Sequence, residues 1–268
     1  MKAVRAMKQL IAFDLDGTLA ESKQAIDPEI GGLLRRLLQV AMVAVISGGD
    51  WPQFKQQLIG QLPKDIEFPK LFLLPTSGTK LYRYEHGWQL GHAELFTKSE
   101  RAHILRALEE TVAGAGLSAE RSWGEKIEDR GSQITFSGLG QQAPLVAKHS
   151  WDPDFLKRKR LQAALGPLLP GFAVNVGGST SIDITRQGVD KAYGMRKLAE
   201  VSGVPATEMI FVGDALYPGG NDYPVRSAGI DTLAVRDVTE TKRIIEAIVF
   251  CLGNGSDSSA PVAHPKNG

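Results

Sequence analysis

The chain has 268 residues, of which 43% are hydrophobic and 23% are charged, which is ordinary for a globular protein and sufficient for one large domain or two small ones. The formal net charge is +1 and no basic block is present, so the composition argues against a nucleic-acid partner. A single cysteine, Cys251, excludes an internal disulfide bond, and no apolar run reaches the roughly 20 residues that span a bilayer. The basic segment Met1–Lys8 leads into an apolar strand instead of a signal-peptide core. We therefore expect a cytoplasmic protein with neither a nucleic-acid nor a membrane partner.

Near the start of the chain, a short apolar run leads directly into two acidic residues. Leu10–Phe13 are followed by Asp14 and Asp16 and then by the turn residues Gly17 and Thr18. A run of this kind predicts a buried strand of a parallel sheet, and chemistry in open α/β sheets gathers at the carboxyl ends of such strands. Two carboxylates placed there repel each other unless a cation or a shared proton relieves them. Taken alone, the pair also fits an ordinary strand end followed by a turn.

Residues 19–90 alternate between helix and strand patterns. Pro28 lies where a first helical turn would begin, and apolar residues follow it at helical spacing. This alternation favours right-handed crossovers and a parallel sheet. The predicted elements are, in order, a helix over 28–38, a strand over 40–46 that ends at Ser47-Gly48-Gly49-Asp50, a helix that contains Phe54, Leu58 and Leu62, a strand over 71–74, and a hairpin of 80–84 with 88–90.

From about Gly91 the pattern changes, because few of the following strands are apolar throughout. A sheet of such strands has one face in contact with water, which is typical of a smaller α+β unit inserted into the first. The predicted elements of this insert are helices over 97–113 and 152–165 and strands over 132–136, 172–176 and 181–185.

The parallel pattern returns after residue 187. Its predicted elements are a helix over 190–201, a strand over 209–212 that ends at Gly213-Asp214, a strand over 231–235 and a helix over 239–252. We therefore predict an α/β core domain formed by residues 1–90 and 188–252, with an inserted α+β cap domain formed by residues 91–187. Residues 253–268 are small and polar, and we predict that they are disordered.

Four chemical signals fall at the carboxyl ends of strands or at the start of a helix: Asp14 with Asp16, Ser47, Lys191, and Asp214 with Asn221 and Asp222. In this order they resemble the haloacid dehalogenase superfamily of phosphotransferases, which carries Asp-x-Asp-Gly-Thr, a Ser or Thr, a Lys, and a Gly-Asp followed by an acidic residue. The resemblance spans residues 10–237 and implies a Rossmann-like parallel core with an inserted α+β cap.

The roles that the resemblance implies agree with what phosphoryl transfer from a monoester requires. Asp14 is the predicted nucleophile, which forms an aspartyl-phosphate, and Asp16 is the predicted general acid and base. Mg²⁺ is the predicted cofactor, because it prefers a coordination shell of a few carboxylates completed by water and phosphate oxygens. Its charge would offset the repulsion between these carboxylates and a phosphate. The residues predicted to form the metal site are Asp14, Asp16, Asp214 and Asp222. Asp222 is expected to contact the ligands and not the ion itself. Ser47 and Lys191 are expected to hold phosphate oxygens, and a turn serine and a solvated lysine are the alternatives.

Within the superfamily, the details resemble the eukaryotic-type phosphomannomutases, whose α/β cap is inserted between the Ser and Lys motifs. The pattern is carried by Ser47-Gly48-Gly49-Asp50, Gly177-Gly178 before Ser181-x-Asp183, Gly188-x-Asp190-Lys191, and Gly213-Asp214-x-x-x-Pro218-Gly219-Gly220-Asn221-Asp222. In those mutases a cap serine and aspartate bind sugar hydroxyls, and cap arginines clamp the second phosphate. The resemblance implies a phosphorylated small-molecule substrate and the following substrate-binding residues: Lys23, Gly48, Arg130, Lys148, Ser181 and Asp183.

The chain departs from the mutase pattern at the phosphate clamp. Lys23, Gln141 and Lys148 lie where the mutases carry arginines, and neither Lys nor Gln reproduces the planar bidentate fork of Arg. We therefore favour a Mg²⁺-dependent phosphatase of sugar phosphates, because hydrolysis needs no distal clamp. A phosphohexomutase of the phosphomannomutase type is the alternative, and a non-catalytic phosphosugar-binding protein is a third hypothesis. The residues do not determine the sugar or the oligomeric state, and a homodimer stays open.

Overall fold

The α/β class predicted from the sequence is confirmed. A computed structural model describes residues 7–177 and 179–253. Gly178 and residues 254–268, where most of the predicted disordered tail falls, lie outside the described residues. Among the residues that are described, we find no helix with the length and apolar character that a membrane crossing requires.

The described residues form two sheets and the helices that pack on them. The strands are β1 Leu10–Asp14, β2 Met42–Ile46, β3 Leu71–Leu74, β4 Lys80–Tyr84, β5 Trp88–Ala93, β6 Ile127–Asp129, β7 Ile134–Ser137, β8 Phe172–Val176, β9 Ser181–Arg186, β10 Met209–Gly213 and β11 Asp231–Ala234. The helices are α1 Pro28–Val40, α2 Trp51–Gln57, α3 Lys98–Gly114, α4 Leu145–Trp151, α5 Leu156–Leu165, α6 Lys191–Ser202, α7 Tyr223–Ser227 and α8 Val238–Gly253.

The large sheet has the strand order β11-β10-β1-β2-β3-β4-β5. The strands from β11 to β3 are parallel, and β4 and β5 extend the sheet as an antiparallel hairpin. One face packs on α1 and α8, while the other packs on α6 and α7. Because both faces are covered, β1 is buried along its whole length, which explains its unbroken apolar run. The carboxyl ends of β1, β2 and β10 consequently meet at one edge of the sheet.

The small sheet has the order β6-β7-β9-β8 and is antiparallel throughout. Apolar and polar side chains alternate along its strands, as the sequence predicts for a sheet with one polar face. Ile134 and Phe136 of β7 pack with Ile182 and Ile184 of β9 in a core that α3 and α5 also line. The residues between them, such as Thr135, point to the opposite face, which is polar.

The structure corrects the predicted helix over 152–165, since the helix α5 begins only at Leu156. Pro153 disfavours helical geometry at the preceding residue, Asp152, and Phe155 has a left-handed backbone with φ of 62°. The Asp152 carboxylate instead accepts hydrogen bonds from the backbone amides of Lys157, at 2.9 Å, and Arg158, at 3.1 Å. The short elements β6, α4 and α7 have no counterpart in the sequence-based prediction, because each is too short to show a period.

Polar contacts join the two sheets. Thr79, which follows β3, donates to Ser132 at 2.7 Å, and Ser132 in turn donates to Thr76 at 3.1 Å. Arg186, at the end of β9, contacts the carboxylates of Glu94 and Glu100. The large sheet extends to Ala93, which is beyond the predicted boundary at residue 90. The division into a core and a cap domain stays a prediction.

Close packing of α6 against the sheet edge depends on Gly194. A Cβ atom at Gly194 would lie 2.4 Å from Ile46 Cδ1 and 2.8 Å from the Ser77 carbonyl oxygen. Helix α6 can therefore reach the edge at which β2 ends only because this residue lacks a side chain. The same helix begins with Lys191, so its approach determines where that ammonium lies.

We predict that Gly194→Ala destabilises the protein by about 1–3 kcal/mol, because the added methyl group meets backbone that cannot move away. Gly32→Ala is the matched control, since Gly32 lies within α1 with nothing within 4 Å of its Cβ position. That change should stabilise the protein by roughly 0.5–1 kcal/mol through helix propensity. Denaturant unfolding of both variants measures the difference. Equal effects of the two changes would contradict the packing argument.

Candidate active site

The predicted catalytic side chains meet at the carboxyl edge of the large sheet. Asp14 is the last residue of β1, Ser47 follows β2, and Asp214 follows β10. Lys191 is the first residue of α6, and Asp222 directly precedes α7. The structure therefore brings together side chains from both ends of the sequence.

Lys191 is the centre of this group. Its ammonium lies 2.6 Å from Asp14 Oδ1 and 2.5 Å from Asp222 Oδ1. All three side chains are buried, and the exposed fractions are 2% for Lys191, 4% for Asp14 and 0% for Asp222. Asp222 also accepts a hydrogen bond from the backbone amide of Ala215 at 3.0 Å. Each buried charge thus has an opposite charge in contact with it, as burial requires.

Three carboxylates crowd the same point. Asp14, Asp214 and Asp222 each offer an oxygen, and these oxygens lie within 4.8 Å of one another. Burial raises the pKa of Asp14 to about 7; the charges of Asp222 and Asp214 also raise it, while Lys191 lowers it. Burial and Asp222 likewise raise the pKa of Asp214. Clustered carboxylate oxygens of this kind fit Mg²⁺, which is a hard cation that prefers oxygen ligands.

The pKa of Lys191 is also raised, although burial acts on it in the opposite direction. Burial alone would lower it, but the carboxylates of Asp14 and Asp222 outweigh burial and hold the pKa above its ordinary value. Lys191 is therefore a permanent cation at this edge. It can compensate one negative charge of a bound phosphate as well as organise the two acids.

Gly17 makes room for Asp214. It has a left-handed backbone with φ of 88°, and a Cβ atom there would lie 2.5 Å from Asp214 Oδ2. Both the backbone angle and the space therefore require glycine in the loop after β1. The Asp-x-Asp-Gly-Thr segment thus supplies acidic groups and also the gap through which Asp214 approaches Asp14.

Asp16 has a different environment from Asp14. Its carboxylate accepts hydrogen bonds from the backbone amide of Lys23 at 2.6 Å and from Gln53 Nε2 at 3.1 Å. Gln57 Nε2 lies 3.5 Å from it, and Gln53 donates to Gln57 at 2.7 Å. Helix α2 thus holds Asp16 beside the group of three acids and not within it. A role of the Asp16 side chain as a metal ligand stays a prediction.

The loop after β2 contacts the small sheet. The hydroxyl oxygen of Ser47 accepts a hydrogen bond from the Gly49 amide at 3.2 Å. The carbonyl oxygen of Gly48 accepts one from Arg130 Nη1 at 2.7 Å, and Arg130 also pairs with Glu128 at 2.6 Å. Arg130 therefore reaches from the small sheet to the Ser47 loop. Its Nε is buried and has no hydrogen-bond partner among the described residues.

Two lysines lie near each other, and the backbone amide of one of them, Lys23, binds Asp16. Lys148, from α4, is 5% exposed and donates to the carbonyl oxygen of Gln141 at 3.2 Å. Burial and the neighbouring charge of Lys23 lower the pKa of Lys148 to about 8. The side-chain nitrogen of Gln141 is buried and lacks a hydrogen-bond partner within the described part of the chain. Convergent cations with a free donor nearby form an arrangement that an anion would stabilise.

The predicted sugar-binding pair lies on the polar face of the small sheet. Ser181 and Asp183 are two residues apart on β9, so their side chains share that face. Asp183 Oδ1 accepts a hydrogen bond from Thr135 at 2.7 Å. The carboxylate of Asp183 lies close enough to Arg130 to help hold the pKa of that guanidinium above its ordinary value.

Sequence reasoning missed several residues that hold these groups. Gln53 and Gln57 are one helical turn apart beside the Ser47 loop, and this spacing could have identified them as neighbours on one face. Thr135 carried no signal beyond its place in an alternating strand. The buried ion pair of Asp152 with Arg158, at 2.7 Å, also gave no sequence signal, because charged residues are common at a helix start.

Comparison with known proteins places the chain among phosphomannomutase relatives. A family model described as eukaryotic phosphomannomutase matches residues 30–251. Phosphomannomutase 1 from Mus musculus is 28% identical over 258 residues, covering 90% of this chain and 93% of the mouse protein. The phosphomannomutase of Schizosaccharomyces pombe is 27% identical over 228 residues, covering 81% of this chain and 85% of the yeast protein.

Solved structures share the fold. The truncated, IMP-bound IMP-nucleotidase of Plasmodium falciparum matches with a TM-score of 0.68 at 14% identity, covering 91% of this chain and 68% of that one. A haloacid dehalogenase-like hydrolase from Bacteroides thetaiotaomicron matches with a TM-score of 0.60 at 19% identity, covering 90% and 99%. At these identities the likeness concerns the fold alone, and it confirms the predicted haloacid dehalogenase fold.

We predict that Mg²⁺ raises the melting temperature, because a cation offsets the repulsion among Asp14, Asp214 and Asp222. Binding at about 100 times its Kd adds roughly 2.7 kcal/mol to the stability of the folded state. Asp214→Asn should shrink this Mg²⁺-induced shift, since it removes one ligand charge. Glu85→Gln is the control, because Glu85 pairs only with Arg83 in the β4–β5 turn among the contacts described. Thermal scans with Mg²⁺ and then with a chelator measure the shift, and an unchanged shift in Asp214→Asn would contradict the proposed ligand.

Proposed function

Because the chain belongs to the eukaryotic phosphomannomutase family, we propose that it is a phosphohexomutase that moves a phosphoryl group between positions of a hexose phosphate. The observation that carries this proposal is the position of the buried Lys148 beside Lys23, whose charge lowers its pKa, because an anion bound between the two would relieve their repulsion. A mutase needs such a site for the phosphate that is not being transferred. This proposal changes the preference that the sequence alone suggested, because the lysines that replace the arginines still come together.

The first half of the proposed reaction uses the groups at the sheet edge. A carboxylate oxygen of Asp14 attacks one phosphorus of a hexose 1,6-bisphosphate, and the bond from that phosphorus to the sugar oxygen breaks, which leaves a hexose monophosphate and an aspartyl-phosphate. Asp16 gives its proton to that oxygen as it leaves. Lys191 and Ser47 would bind the phosphoryl oxygens, and Asp14 and Asp214 would hold Mg²⁺, which would supply positive charge to the transferring group.

The second half transfers the phosphoryl group from Asp14 to a hydroxyl group. Asp16 now accepts the proton of the attacking hydroxyl, as microscopic reversibility requires. If the hydroxyl belongs to the sugar, the reaction is a mutase reaction; if it belongs to water, the reaction is a hydrolysis. We propose that residues 91–187 act as a cap that favours the sugar by excluding water and by holding the other phosphate with Lys23, Lys148 and Arg130.

A phosphatase of sugar phosphates is the second candidate, and a specific observation favours it. Gln141 carries no charge, and each lysine binds phosphate as a point charge without the fork of an arginine. A weaker hold on the second phosphate would release the bisphosphate intermediate before it reorients. Both candidates use Asp14 and Asp16 in the same way, so they differ only in the acceptor of the phosphoryl group.

We predict that Asp14→Asn lowers turnover by at least about a thousandfold, because the amide cannot form the aspartyl-phosphate. The variant keeps the size of the side chain, and its amide can still accept a hydrogen bond from Lys191. Steady-state turnover of a hexose phosphate, with the melting temperature as a check on folding, measures the effect. Retention of most activity in a folded variant would remove Asp14 from the role of nucleophile.

We predict that hexose 1-phosphate is converted to the 6-phosphate, that a hexose 1,6-bisphosphate stimulates the conversion, and that little inorganic phosphate appears. Lys148→Met should increase the share of inorganic phosphate, because it removes one of the two converging charges. Lys159→Met, at an exposed position of α5, is the control. Product analysis on glucose and mannose 1-phosphates decides the question. Release of phosphate that is independent of the bisphosphate would instead support the phosphatase.

A further inference from the structure

The polar face of the small sheet contains one row that crosses all four strands. Glu128 of β6 lies opposite Thr135 of β7, Thr135 lies opposite Asp183 of β9, and Asp183 lies opposite Asn175 of β8. Directly opposite residues have Cβ atoms about 4.5–5.5 Å apart, so neighbouring side chains in such a row can touch. Asp183, the predicted acceptor for a sugar hydroxyl, therefore has a polar neighbour on either side.

Thr135 is bonded to Asp183 in a defined direction. The hydroxyl lies 2.7 Å from Asp183 Oδ1 and 3.0 Å from the side-chain nitrogen of Gln133. An amide nitrogen can only donate, so the hydroxyl accepts from Gln133 and uses its single proton on the carboxylate. Gln133 and Thr135 are 1% and 2% exposed. Both groups are therefore shielded from water, and Thr135 cannot easily turn to another partner.

The second oxygen of Asp183 is confined as well. A Cβ atom at Gly177 would lie 2.6 Å from Asp183 Oδ2, so this oxygen lies directly against the backbone of Gly177. That backbone is itself held, because Arg158 Nη1 donates to the Gly177 carbonyl oxygen at 2.9 Å. The Gly177 amide also donates to the Ser181 carbonyl oxygen at 2.9 Å. The carboxylate thus has one oxygen bound by Thr135 and the other lying against the backbone of Gly177.

We propose that Thr135 is a positioning residue for substrate specificity: by donating its only proton to Asp183 Oδ1, it leaves Oδ2 to accept a hydroxyl group of a polyol phosphate. This inference rests on the proposed function in that the substrate carries sugar hydroxyls. It goes beyond that function because it assigns the orientation of the hydroxyl acceptor to a buried residue that does not touch the substrate. Without the Thr135 proton, the carboxylate can turn and Oδ2 loses its fixed direction.

The test compares Thr135→Val with Thr185→Val on two substrates. Both changes replace a buried hydroxyl by a methyl group on neighbouring strands, and the Thr185 hydroxyl has no hydrogen-bond partner among the described residues. Thr135→Val should lower kcat/KM for a hexose phosphate roughly tenfold, chiefly through KM, since a hydrogen bond to a charged group is lost. Turnover of phenyl phosphate, which has no sugar hydroxyl, should change by less than about twofold in the same variant. Thr185→Val should change neither kcat/KM for the hexose phosphate nor turnover of phenyl phosphate.

Two further measurements separate positioning from simple loss of structure. Thr135→Ser keeps the hydroxyl and should restore most of the kcat/KM for the hexose phosphate. In a series of hexose phosphates that each lack one hydroxyl, the penalty of Thr135→Val should vanish for the analogue that lacks the hydroxyl bound by Asp183. Equal losses on hexose phosphate and phenyl phosphate, or failure of Thr135→Ser to rescue, would overturn the inference alone. Absence of hexose phosphate turnover by the unmodified protein would overturn the proposed function and this inference with it.

Discussion

The contact of the Lys191 ammonium with Asp14 and Asp222 is the constraint on which the rest of the structure depends. An unpaired charge in such a buried place would cost several kcal/mol, so none of the three groups can move away without the others. Asp14 ends β1, Lys191 begins α6, and Asp222 precedes α7. The contact therefore joins a strand from the start of the chain to two helices from its end. The absence of a side chain at Gly194 allows α6 to come close enough to make it.

The small sheet contributes a second layer of polar groups above this edge. Arg130 reaches the carbonyl oxygen of Gly48, and Ser132 reaches the turn after β3. Lys148 brings its ammonium beside Lys23. Under the proposed function, the edge of the large sheet would carry out phosphoryl transfer, while the groups of the small sheet and α4 would act in the choice of substrate and acceptor.

Much of the edge could be predicted from local sequence. Asp14, Ser47 and Asp214 each follow a run of apolar residues, and the burial of a parallel strand on both faces is what makes such a run recognisable. Lys191 follows a residue that caps a helix, because the Asp190 side chain accepts from the Tyr193 amide. In each of these cases, the neighbouring residues in the sequence determine the local backbone conformation. The helix predicted over 152–165 failed for the same kind of reason, since the turn at Pro153 and Phe155 outweighed the helical spacing that follows.

The sequence by itself determined the α/β class, the positions of the main strands along the chain and the types of chemical group at their ends, because each depends on interactions within a few residues. Only the tertiary structure decided which groups meet across the two sheets. Three contacts join residues that are far apart in the chain: Lys23 with Lys148, Thr135 with Asp183, and Gln53 with Asp16. These contacts depend on how buried surfaces pack and how strands align. From the sequence pattern alone, Lys23 and Lys148 are predicted only to bind phosphate more weakly than the arginines that they replace. Packing brings their charges together, and that Coulomb interaction depends on distance in space, which no run of neighbouring residues encodes.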